Sequence, residues 1–243
     1  MKSLIGIVNC RSRQSTWANA IRETWMKQIP SDKADLKFFV GRGEGEVPSD
    51  TVVLDCPDDY QSLPSKIRCM AKYTYDLGTY DYLMKLDDDV VVRPNDLLAS
   101  GYDTYPYSGR ANRRPTEREP YWVPMGFAYW MSRECMKIVS ESELPNNNDD
   151  ERWVAENLHS HGINLTAEGR YHLYQGGLKD VKPKIHRPLR IQRINQQREM
   201  MKHGFAWCMF FESGQNPPRI PLEKKLTEFH TVFQEYGEPR KQQ

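Results

Sequence analysis

Tyr82-Leu83-Met84-Lys85-Leu86-Asp87-Asp88-Asp89-Val90 is an apolar run of strand length that ends directly in three carboxylates. Successive side chains of a strand point to opposite sides, which predicts Asp87 and Asp89 together on one side and Asp88 on the other. In open parallel sheets, ligands gather at the carboxyl ends of the strands. Two convergent carboxylates there repel each other unless a cation lies between them. Hard oxygen donors suit Mg²⁺ or Mn²⁺, ions that commonly bind substrate phosphates as well. A metal-bridged diphosphate is the natural ligand of such an end. The plainer alternative is a solvated acidic turn that caps the following segment.

Working outward from this stretch, Leu4 to Val8, Leu36 to Val40 and Thr51 to Leu54 also read as strands. Trp17, Ile21, Trp25 and Gln28 have helical spacing, and Pro30 ends the pattern. Gly41-Arg42-Gly43 closes the second strand. Pro64 suits a helix start, and Ile67, Met70, Ala71, Thr74 and Leu77 line one face of a helix that Gly78 stops. Strands that alternate with helices imply parallel pairing through right-handed crossovers. Downstream, Tyr102 to Pro120 is rich in Tyr, Arg, Pro and Gly and reads as a surface loop, and the aromatic run Tyr121 to Met131 follows. Ser132 is placed to cap a helix to about Ser140, and Asp149 or Asp150 to cap one that Gly162 ends. The fold class is α/β with a mostly parallel sheet. The 243 residues read as one domain, with a basic and then aromatic extension from about residue 187.

The composition narrows the function classes. Net charge is +1, which gives no general attraction to nucleic acid, so any electrostatic function must be local. The five cysteines, Cys10, Cys56, Cys69, Cys135 and Cys208, are odd in number and form no CxxC, so a reduced compartment is the simplest reading. No apolar run approaches the roughly 18 residues of a membrane span, and the start is too short for a signal peptide. The resulting expectation is a cytoplasmic protein of bacterial or viral origin. Asn164-Leu165-Thr166 would accept an N-glycan in a secretory lumen, but such triplets arise easily by chance. No Walker-type glycine loop is present, which counts against a nucleotidyl- or phosphoryltransferase, the rival use of paired carboxylates.

Several segments, in order, resemble the inverting β1,3-galactosyltransferase, β1,3-N-acetylglucosaminyltransferase and Fringe family. Ala20-Ile21-Arg22-Glu23-Thr24-Trp25 is similar to that family's "AIRxTW" helix. Asp55, Asp59, Tyr60, Leu63 and Lys66 resemble "DxxDxYxNLxxK", and Lys85 to Val90 resembles "KxDDDV". Pro124 to Tyr129 with Ser132-Arg133 resembles "PxxxGxGYxxSR". Asp150 to Ala155 followed by His161-Gly162-Ile163 resembles "EDVYVG…LGI", and Lys184-Ile185-His186 resembles the short strand with the late metal-binding histidine. The chain departs from the pattern in places. The acidic pair reads Asp-Glu instead of Glu-Asp, Ala155 replaces a glycine, and Pro64 interrupts the "NLT" element.

The resemblance implies a GT-A fold, a Rossmann-like nucleotide-binding sandwich. It also implies transfer of a hexose from a UDP-sugar to a hydroxyl of a glycan, glycolipid or glycoprotein, with Mn²⁺ or Mg²⁺. In those terms Asp89 is the expected direct metal ligand, with Asp87 nearer the donor ribose or bridging through water. His186 is the expected third protein contact to the metal. Glu151 is the expected general base, with Asp150 the runner-up; the plainer reading of both is a helix cap. Asp88, Lys66 and Arg22 are candidate donor contacts, against solvated or structural alternatives. Trp122 and Gly126 are candidates for the sugar pocket, against a core aromatic cluster. Arg187, Arg190, Arg193, Arg198 and Lys202, with Ile191, Ile194 and Met201 between them, fit a solvated helix face or a peripheral membrane contact. A non-catalytic relative that keeps the fold and binds the sugar nucleotide is the second rival.

Overall fold

The computed structural model describes residues 1–167, 171–175 and 206–210. A seven-stranded sheet organises it. Its parallel half comprises β1 (Ser3–Val8), β2 (Ala34–Val40), β3 (Thr51–Val53) and β4 (Tyr82–Asp87), with β1 between β2 and β4. Beyond β4 the sheet continues with β7 (Val123–Ser132), β6 (Tyr107–Arg113) and the short β8 (Thr166–Ala167). β7 runs antiparallel to β4 and to β6, while β8 is parallel to β6. The sheet is therefore mostly parallel, with one reversed strand.

The central strands are buried on both faces, and β1 is buried along its whole length. On one face Ile5, Ile7, Phe38, Met84, Leu86 and Trp130 pack against Ile21 of α1 (Asn19–Glu23) and against Trp25. On the other, Leu4, Phe39, Leu83, Tyr129 and Met131 pack against three helices: α2 (Leu63–Leu77), α4 (Arg133–Glu141) and α5 (Asp150–Ser160). Helix boundaries follow the expected chemistry. Pro64 lies in the first turn of α2, and Gly78 ends that helix with φ at 68°. Ser132 Oγ accepts from the Cys135 amide to cap α4, and Asp149 Oδ1 accepts from the Arg152 amide to cap α5. Gly162, with φ at 80°, follows the end of α5.

Two expectations are corrected. The segment expected as a surface loop, 102–120, contains β6, a seven-residue strand inside the sheet. Its polar sequence hides this, because only Tyr107, Ser108 and Gly109 are buried and its pairing to β7 shifts register twice. The helix expected through Trp17 to Gln28 is broken into pieces. A wide π-type turn, Gln14–Ala18, leads into α1, and a 3₁₀ turn, Trp25–Gln28, follows it. The break falls at Thr24, whose hydroxyl bonds back to the Ala20 carbonyl at 2.6 Å while its backbone leaves the helical region.

After the acidic turn the chain leaves the large sheet. β5 (Val90–Val92) joins a three-stranded sheet, antiparallel to β10 (Ala206–Phe210), which is itself parallel to β9 (Tyr171–Gln175). α3 (Pro94–Leu98) follows β5. Cys10, Cys56, Cys69 and Cys135 are free thiols. Among the described residues no helix is long and apolar enough to cross a membrane.

Candidate active site

The three aspartates end β4 and turn into β5. Burial alternates along them: Asp87 and Asp89 are half-buried and Asp88 is buried. Asp88 accepts from Asn9 Nδ2 at 3.0 Å and from Arg13 Nη1 at 3.0 and 3.2 Å. Burial pushes its carboxyl up to about 6, against the pull of the Arg13 guanidinium. That side chain holds the turn to the segment after β1. Asn9 also accepts from Gln14 Nε2, and its carbonyl accepts from Lys66 Nζ at 2.8 Å.

Lys85, two residues before Asp87, faces the helix side of the sheet and is almost wholly buried. Its ammonium donates to Asp87 Oδ1 at 2.6 Å and to the Gly126 carbonyl, and lies 3.9 Å from Asp150 Oδ2. Burial alone would lower its pKa. The carboxylates of Asp87, Asp150 and Glu151 outweigh that and hold it above the ordinary lysine value.

Asp150 and Glu151 open α5 and differ sharply in setting. Asp150 is buried, and burial together with Glu151 and Asp87 raises its pKa to about 7 although Lys85 opposes this. Glu151 is half-buried. Its carboxyl group lies against Gly126 near the start of β7, so close that a methyl group there would stand 3.0 Å from Oε2. Because β7 runs antiparallel to β4, its first residues lie at the carboxyl end of β4. The carboxyl end of β4 therefore collects Asp87, Asp89, Lys85, Gly126, Asp150 and Glu151. Asp89 makes contacts within the protein as well.

The remaining candidates fall elsewhere. Lys66 is buried, and its ammonium is bound by the Asn9 carbonyl and Asp58 Oδ1, each at 2.8 Å. Arg22 pairs with both oxygens of Asp50 at 2.7 and 2.8 Å and lies over the Phe38 ring. Both cations are thus paired inside the fold; the solvated helix face that was the alternative for Lys66 is corrected, because its side chain is buried. Trp122 is half-buried against the helix-side core. His186 and the basic stretch from Arg187 lie outside the described residues.

Four organising residues were not singled out from sequence: Asn9, Arg13, Asp58 and the role of Lys85. Asp58 accepts from the Arg11 and Gly41 amides at 2.7 and 2.6 Å and from Lys66, tying together the segments that follow β1 and β2. Those partners hold its carboxyl below the ordinary range despite burial. The only sequence signal was indirect: a lysine inside an apolar strand, and an aspartate just before a helix.

Among the described residues no group of three or more His, Cys, Asp or Glu side chains forms a cage for a metal ion. Asp87 and Asp89 offer two hard, half-buried carboxylates at the carboxyl end of β4. That donor set fits a divalent Mg²⁺ or Mn²⁺ ion that keeps waters and takes substrate phosphates, and not an ion that requires a full protein shell.

Comparison with known proteins bears on the fold and on part of the chain. Residues 17–104, from the first helical segment through the acidic turn, match the model of the Galactosyltransferase family. An Arabidopsis thaliana protein named "Probable beta-1,3-galactosyltransferase 13" is 28% identical over 97 residues, 32% of this chain and 28% of the relative. The chain thus spans little more than a quarter of the length of that curated relative. Among solved structures, a glycosyltransferase involved in glycosylation of the major capsid of PBCV-1 superposes with a TM-score of 0.54 at 9% identity. The match covers 96% of this chain and 100% of that one. At that identity the likeness is one of fold alone: the sheet and its helical layers are similar to those of that solved structure.

Proposed function

We propose that the chain is a metal-dependent inverting glycosyltransferase. In this reading it moves a hexose of the galactose or N-acetylglucosamine type from a UDP-sugar to a hydroxyl of a glycan or glycolipid, forming a β1,3 link. The observation that carries the reading is the meeting of Asp87, at the end of β4, with Glu151, at the start of α5, around Gly126 and Lys85. An acidic strand end that can receive a diphosphate and a carboxylate that can receive a proton meet at the carboxyl end of β4.

A divalent ion held by Asp87 and Asp89 would supply charge neutralisation for the departing diphosphate. Glu151 acts as the general base. It takes the proton of the acceptor hydroxyl as that oxygen bonds to the anomeric carbon. The bond from this carbon to the UDP oxygen breaks, and its electron pair leaves with UDP, so the configuration inverts. Glu151 sits in the first turn of α5, directly after buried Asp150. Asp150, buried 3.9 Å from the Lys85 ammonium, is the alternative base. Asp88 holds the turn, and His186 is the proposed further protein contact to the ion.

Two measurements test this. UDP should bind well with Mn²⁺ or Mg²⁺ and poorly in EDTA, and Asp89→Asn should remove that dependence. Equal affinity in Mn²⁺ and in EDTA would overturn the metal role. Glu151→Gln should keep UDP-sugar affinity near wild type and cut transfer by at least about 10²-fold, the lower range for a general base. If Asp150→Asn stops transfer while Glu151→Gln retains it, the base is Asp150. His186→Ala should weaken Mn²⁺-dependent UDP binding by about tenfold.

A further inference from the structure

The Glu151 carboxyl group rests on bare backbone. A methyl group built on Gly126 would stand 3.0 Å from Oε2, 3.1 Å from Cδ and 3.3 Å from Oε1. All three terminal atoms crowd the same point, so the carboxyl lies across the Cα of Gly126, and a side chain there would force it to shift by a few tenths of an ångström. Backbone conformation does not demand glycine here, because Gly126 is not among the positive-φ residues. The requirement is space for Glu151. Gly126 is itself fixed: its carbonyl accepts from the buried Lys85 ammonium, which also holds Asp87 Oδ1 at 2.6 Å.

We infer that Gly126 is a positioning residue, a seat for the Glu151 carboxylate that Lys85 anchors to the strand carrying the donor-side aspartates. The inference rests on the reading of Glu151 as the base. Glutamate has one more rotatable bond than aspartate, and a seat removes the freedom that bond would add. The distance from base to donor is then set by the β4–β7 pairing, through Lys85 and Gly126, and not by the glutamate side chain alone.

The test is a double-mutant cycle. Gly126→Ala displaces the carboxylate, and transfer should fall about tenfold or more, as small misplacements of a reacting group do. Mn²⁺-dependent UDP affinity should stay near wild type. Glu151→Asp withdraws the carboxylate from the seat and should also slow transfer. Combined, the two changes should be no worse than Glu151→Asp alone, because the shorter side chain no longer meets the added methyl. A glycine needed only for packing would instead give losses that multiply. Should Gly126→Ala fold poorly, adding Glu151→Asp should restore the unfolding midpoint, and failure to restore it overturns the seat. Unchanged turnover in Gly126→Ala, multiplying losses in the pair, or UDP affinity falling in step with turnover would each overturn it too. If wild type transfers and Glu151→Gln does not, but Gly126→Ala is silent, the glycosyltransferase reading stands and the seat falls. If wild type transfers no sugar, the glycosyltransferase reading itself falls.

Discussion

Lys85 is a charge placed where charges are costly. Its side chain is 3% exposed, and its partners, Asp87 and Asp150, come from different elements. Removing the ammonium leaves Asp150 buried without its counter-charge, a change of the kind that typically costs about 3–5 kcal/mol. Lys85→Met should therefore lower stability by about that much in urea unfolding. Adding Asp150→Asn should return part of the loss, since a neutral amide needs no counter-charge. An unfolding midpoint that ignores Lys85→Met would mean the ammonium is not the keystone of this group. The sequence discloses Asp87, Asp89, Asp150 and Glu151 because each stands beside a strong local marker, a strand end or a helix start. It does not disclose the work of Asn9, Arg13 or Asp58, whose partners lie far away in the chain. The same distance hides the partners of Arg22 and Lys66. As lone cations they suit a phosphate, but Asp50 and Asp58 have already taken them.

Helices and strands were readable wherever one interaction fixed them. α2, α4 and α5 carry apolar periodicity and explicit caps, so their ends follow from single residues. β6 was hidden because its stability comes from neighbours on both sides and not from an apolar pattern of its own. The first helix was overextended because periodicity could not register the Thr24 back-bond. Two glycines that end elements give contrasting predictions. At Gly78 a side chain would meet nothing within 4 Å, so only the left-handed backbone is at stake. Gly78→Ala should cost about 1–2 kcal/mol. At Gly41, after β2, a side chain would run into the Pro57 carbonyl and the Asp58 amide, backbone atoms that cannot rotate away. Gly41→Ala should be clearly more damaging, and it should loosen the Asp58 junction as well. Equal unfolding midpoints for the two variants would contradict this ordering.

Across the molecule, carboxylates divide into two groups that respond oppositely to pH. Asp35, Asp50 and Asp58 are held below their ordinary values: although burial opposes it, Lys2 and Tyr80, Arg22, and Lys66 with two backbone amides respectively favour the charged form. Their contribution is present above the ordinary carboxylate range, near pH 4, and is lost as pH falls through the lowered folded values. Asp88 and Asp150 are raised, to about 6 and about 7, so their burial costs stability as pH rises from the ordinary range towards those values. In EDTA, the share of thermal stability set by these groups should therefore peak near the ordinary carboxylate value, at about pH 4, and decline towards pH 7. Asp150→Asn should flatten the decline on the alkaline side, and identical pH curves for the two proteins would refute the assignment. The small sheet bears on how the molecule is made. Val90 of β5, directly after the acidic turn, pairs with Cys208 of β10. A ribosome has therefore delivered the aspartates long before it delivers the strand that clamps the turn. Closing so long a loop costs entropy before any contact repays it. Nascent chains can thus bury the β1–β4 core early, while β5, directly after the acidic turn, gains its partner strand only once β10 has been synthesised.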